Sequence, residues 1–238
     1  MDRYARLGMT WVERNAYSLG IASAALFLVG TYLALVWSPP DILQGNAMRI
    51  LYVHVPTIMI AYLAFFLVLV ASVMYLWKRD LLWDRLAGAS AELGVLFTAL
   101  TLVVGSIWAK PIWGVYWTWD PRLTTTAILF VVYAGYLLLR TLQPDPFSRA
   151  KQSAVVGIIG FADLPIVHFS VIWWRSLHQG PTFSLLSDPK MDDRMEVALF
   201  INLLAFLALF LFLMGQRLRL GRLEQTRDEL LWEEAQRV

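Results

Sequence analysis

The residues with the most chemical capacity in this chain are few, and they collect in three places. His54, His168 and His178 are its only histidines. A neutral imidazole is a common metal ligand and titrates near physiological pH. Trp108, Trp113, Tyr116, Trp117 and Trp119 put four indoles and a phenol within twelve residues, followed at once by Asp120 and Arg122. Rings of this kind present large flat faces to a planar ligand. Arg49, Arg122 and Arg175 can each grip a carboxylate through two parallel hydrogen bonds. The zero cysteine count excludes disulfides, thiolate metal sites, iron–sulfur clusters and covalent C-x-x-C-H attachment. There is no Gly-rich phosphate loop and no G-x-S-x-G. Asp188, Asp192 and Asp193 read as loop charges, without EF-hand spacing.

The elements that must position these residues are membrane helices. Of the 238 residues, 58% are hydrophobic and 16% charged, against about 45–50% and 25% in soluble domains. The net charge of +2 leaves no basic face for nucleic acid. Residues 16–40, 50–77, 93–109, 123–139 and 197–216 carry no acid, Lys or Arg, and 152–174 carries only Asp163. A helix needs about 20 apolar residues to cross the hydrocarbon. The runs are continuous rather than alternating, so helices are expected, not barrel strands. The spans fall near 18–37, 55–77, 87–108, 124–141, 153–173 and 196–215. The expected fold is an all-α polytopic membrane protein, one six-helix domain over 1–238 with a charged tail at 216–238. Span one is longer than a signal h-region and lacks an A-x-A-like site, so it reads as an uncleaved anchor.

Lys and Arg set the orientation. The N-terminus, the second and fourth loops and the tail hold 14 of them, and the other side holds 6. Both termini are therefore expected in the cytoplasm. His54 then lies at the outer end of span two, His168 near the outer end of span five and His178 in the loop beyond it. All three share a side with the tryptophan-rich loop. Pro56 suits the first turn of span two, and Pro165 should kink span five just before His168.

Each feature also has a plainer role. Interfacial belts place Trp at helix ends, but a belt explains one or two rings, not five beside Asp and Arg. The apolar loop suits a short interfacial helix. A lone membrane His often bonds a neighbouring helix, and the arginines can meet lipid headgroups or Asp120. Two His at one depth on different helices, flanking an aromatic segment, are less easily dismissed, and neutral imidazole is a good ligand for haem iron. Glu92 and Asp163 are membrane-level acids, each protonated or paired. A cofactor-free transporter and a b-type electron-transfer subunit are the alternatives.

Trp113-Gly-x-x-Trp117-x-Trp119-Asp120-x-Arg122-Leu-Thr resembles the WWD signature of the haem-handling protein family. Residues 49–56, RILYVHVP, and 164–180, LPIVHFSVIWWRSLHQG, are similar to the two His segments of its haem exporter protein C (CcmC) branch. The likeness runs from about Gln44 to Gly180. Six spans fit this branch better than the larger CcmF and CcsA. Tyr116 replaces an expected Trp, and Asp163 an expected Asn. The resemblance implies a transfer protein for haem rather than a conventional enzyme. It takes haem b, held non-covalently between two axial histidines, at the periplasmic face of the bacterial inner membrane. It passes the haem to the chaperone CcmE during c-type cytochrome biogenesis, and works with CcmD and the ABC transporter CcmA/CcmB. Residue by residue, His54 and His168 match the axial ligands, and Trp113, Trp117, Trp119 and Asp120 match the haem-covering signature. Arg49 and Arg122 lie in family motifs and are expected to hold the propionates. His178 matches a motif position with no ligand role attached.

Overall fold

The computed structural model describes residues 10–178 and 191–235. Helices dominate: α1 (Trp11–Arg14), α2 (Ala16–Tyr32), α3 (Leu51–Lys78), α4 (Leu81–Trp113), α5 (Pro121–Leu142), α6 (Pro146–Phe161), α7 (Asp163–Trp173) and α8 (Asp193–Ala235). A π-turn, Leu33–Trp37, extends α2, and a 3₁₀ turn, Asn46–Ile50, leads into α3. Among the described residues there is no strand. Among the described residues, six stretches are long and apolar enough to cross a membrane, and α6 with α7 makes one of them. The protein is a six-helix membrane protein.

α3 is the hub, packing on α4, α6 and α8, while α2 leans chiefly on α8. Small residues let the backbones approach: Ala61, Ala64 and Ala71 on α3, and Ala87, Ala91 and Gly94 on α4. A Cβ at Gly94 would sit 2.5 Å from Phe65 Cε1. Phe65 in turn stacks on Tyr133 of α5 at 3.9 Å between ring centroids.

The helices outrun the apolar runs because their polar ends are satisfied. Asp80, Asp120 and Asp145 cap α4, α5 and α6, with Pro121 and Pro146 in the first turns. Glu92, near the start of span three, is paired with Arg217 of α8 (Nη2 to Oε1, 2.8 Å). Arg222 pairs with Glu13 of α1. The charged tail is thus a continuation of α8 to Ala235, not a separate element. At the same end of the bundle, the α4–α5 seam holds a bidentate ion pair, Arg140 to Asp84 at 2.5 and 2.9 Å.

Two local expectations change. α4 continues through Trp113 and ends at Gly114, whose φ of 78° is the left-handed region glycine allows. Residues 114–120 are therefore irregular chain, not an interfacial helix. Pro56 is not in a first turn either, because the 3₁₀ turn starts the span at Asn46 and carries His54 onto an established helix. In span five the helical hydrogen-bonding is interrupted at Ala162, between α6 and α7. Pro165 has no N–H for the Phe161 carbonyl, which lies four residues back at that break.

Candidate functional site at the imidazole and indole cluster

His54 projects from the start of α3, and its carbonyl accepts the Thr57 hydroxyl at 2.8 Å. The ring is half-buried, meets Trp108 edge-on at 5.6 Å, and its Nδ1 is buried with no hydrogen-bond partner. Trp108 is itself fixed, because its Nε1 donates to Gln44 Oε1 at 3.0 Å. This bond ties the end of α4 to the loop before α3.

The second imidazole beside His54 is that of His178. After α7 ends, the chain returns over the bundle, and the two ring centroids lie 6.4 Å apart with 34° between planes. Trp113 meets His178 from another side at 6.4 Å. Asp120 holds this returning segment in place. Its carboxylate is buried, accepts Arg122 N at 2.9 Å to cap α5, and also accepts Ser176 Oγ at 3.0 Å and Leu177 N at 2.7 Å. The acid of the tryptophan-rich motif is thus a bracket between two loops. Arg122 adds to it: Nη2 donates to the His168 carbonyl at 2.9 Å, and Nη1 contacts His178 Nδ1 at 3.4 Å. Arg122 Nε is buried without a partner.

The remaining expected site residues lie as follows. The His168 side chain is exposed and packs edge-on against Phe169 at 5.0 Å; only its carbonyl enters the cluster. Trp117 and Trp119 meet edge to face at 5.8 Å, and Trp119 is 82% exposed. A hollow of about 320 Å³ opens between Trp119 and the 175–177 stretch. Arg49 is occupied elsewhere. Its guanidinium donates to Asn46 Oδ1 at 3.0 Å, to Ser38 O at 3.2 Å and to Ala34 O, closing the end of α2. Asp163 Oδ2 is buried with no partner.

Sequence reasoning missed Ser176, Gln44 and the pairing of His178 with His54. Only the aromatic and charged types around them carry a signal in the sequence. The bracket itself depends on two segments more than 50 residues apart.

The family described as Heme exporter protein C matches residues 4–233. A Heme exporter protein C of Haemophilus influenzae is 40% identical over 209 residues, covering 88% of this chain and 82% of its own. That of Escherichia coli K12 is 36% identical, covering 76% and 75%. A putative cytochrome c biosynthesis ccmC-like mitochondrial protein of Arabidopsis thaliana is 34% identical, covering 84% and 75%. The chain belongs to the heme exporter protein C family.

Proposed function

We propose that this protein binds haem at the end of the bundle where α3 starts and α4 stops, and hands it on during c-type cytochrome maturation. The observation that carries the reading is the His54–His178 pair. Two imidazoles facing each other across one metal, each bound at about 2 Å, stand with their centroids roughly 6 Å apart; here the separation is 6.4 Å. Among the described residues no three His, Asp or Glu side chains gather around a bare ion. Two imidazoles therefore suit a metal that brings its other ligands, and an iron porphyrin brings four. The buried, unpartnered Arg122 Nε fits a propionate.

His54 and His178 are the proposed axial pair. His168, the partner expected from the sequence, remains the other candidate and is separated by the test below. Arg122 is the proposed propionate contact in preference to Arg49, whose donors close α2. Trp113 and the Trp117–Trp119 pair cover the macrocycle. His54 and His178 would hold the haem iron, which would supply no open position for reaction, so the protein's task would be to hold and present the haem rather than to react it. Family membership supports the wider reading: a bacterial inner membrane protein with cytoplasmic termini, a periplasmic site, CcmE as acceptor, and CcmD and CcmA/CcmB as partners.

The reading is tested on the purified chain titrated with haem. A Soret band with low-spin features supports it, and no band would favour a cofactor-free transporter. Two haem equivalents per chain would favour an electron-transfer subunit.

A further inference from the structure

The His54 ring owes its place to a side chain that is missing from the facing helix. Thr101, Gly105 and Trp108 lie four and three residues apart, on one stripe of α4. Each meets α3 at the level of His54. A Cβ built on Gly105 would lie 2.8 Å from His54 Cε1 and 3.2 Å from Nδ1. The first distance is closer than two carbons can approach. Trp108 stands edge-on to the ring at 5.6 Å, and His178 follows at 6.4 Å, so aromatic rings stand on two sides of the imidazole. Below it, Thr101 Oγ1 bonds Thr57 Oγ1 at 2.9 Å, and the Thr57 proton goes to the His54 carbonyl at 2.8 Å. Both threonines are buried, and their bond fixes the height of α3 against α4.

We infer that Gly105 is a positioning residue for His54: its bare Cα is the surface on which the imidazole lies, and it aims the ring toward His178. The inference rests on the ligand role proposed for His54 and adds what sets the ring's direction. A glycine that only packs helices behaves differently. Gly94 is of that kind, since its absent Cβ makes room for Phe65 in the core. Its replacement should weaken the fold whatever stands at position 54.

The test uses the full chain in detergent and combines Gly105→Ala with His54→Ala. Three quantities are read: membrane abundance, melting temperature without haem, and haem affinity with its spectrum. In the native background, Gly105→Ala should weaken haem binding about tenfold, in the range found for residues that orient metal-ligating histidines, and shift the spectrum toward high spin. In the His54→Ala background it should add no loss, because the clashing ring is gone. If Gly105→Ala fails to accumulate with His54 present but accumulates with Ala at 54, the contact with the ring is equally established. Wild-type affinity and spectrum in Gly105→Ala would overturn the inference. So would the same loss in both backgrounds, which is the Gly94→Ala pattern. If His54→Ala alone leaves haem binding unchanged, the ligand reading fails and the positioning role fails with it.

Discussion

Asp120 accepts the backbone N–H of Leu177 at 2.7 Å, and this contact joins the tryptophan-rich loop to the segment that carries His178. The same carboxylate caps α5 and holds Ser176. Removing it should cost about 1–3 kcal/mol, because a cap is lost and buried donors are left unpaired. Asp120→Ala is expected to keep the helical content, expose residues 174–178 to proteolysis and weaken haem binding. Asp120→Asn retains one acceptor oxygen and should fall between. Limited proteolysis with mass mapping, alongside circular dichroism, checks this. An unchanged cleavage pattern in Asp120→Ala would remove the bracket from the account.

At the other end of the bundle, Asp84→Ala strands a guanidinium in the α4–α5 seam. Breaking a buried pair from one side costs about 3–5 kcal/mol, so Asp84→Ala should lower the melting temperature and membrane abundance strongly. Replacing both partners with apolar residues, Asp84→Leu with Arg140→Met, should restore much of the loss. Haem affinity per folded molecule should change in neither, since the pair is remote from His54.

The tryptophans separate by role. A lipid-interface ring tolerates exchange with another amphipathic ring, while a ring covering a macrocycle contributes through contact area. Trp117→Ala and Trp119→Ala are expected to keep abundance and lower bound haem. Trp77→Ala, 77% exposed at the far end of α3, should change neither. Abundance and haem are measured on the same membranes. Loss of protein in proportion to haem would make the loop structural.

The lysine and arginine distribution predicts the placement of the ends. A reporter fused after Val238 that is active only outside the cytoplasm should be silent. An active reporter would reverse the membrane side of the whole imidazole cluster.

The spans were legible because hydrophobic runs of this length have one physical solution in a bilayer. Their ends were less so. Glu92 lies inside a helix because Arg217, 125 residues on, meets it there, and no local signal shows that. The level of the histidines followed from topology, but level is not direction. His168 and His178 both lie toward one end of span five, and depth on a helix together with the resemblance pointed to His168. The chain instead returns after Trp173, and hydrogen bonds to Asp120 seat His178 against His54. Arg49 was read for its charge, while its contacts are with the carbonyls that end α2. Asp120 was read as part of a ligand cover, and the two loops its carboxylate joins could not be read from the sequence.

One haem iron held between His54 and His178 has a direct spectroscopic signature. The direct measurement is the absorption and electron paramagnetic resonance of ferric haem bound to the wild-type chain and to His54→Ala, His168→Ala and His178→Ala. A low-spin signal is expected in the wild type and in His168→Ala. Weakened binding or a high-spin signal is expected in His54→Ala and His178→Ala, with imidazole in solution restoring low spin to each. A low-spin spectrum that survives in His178→Ala and is lost in His168→Ala would contradict the His54–His178 pairing.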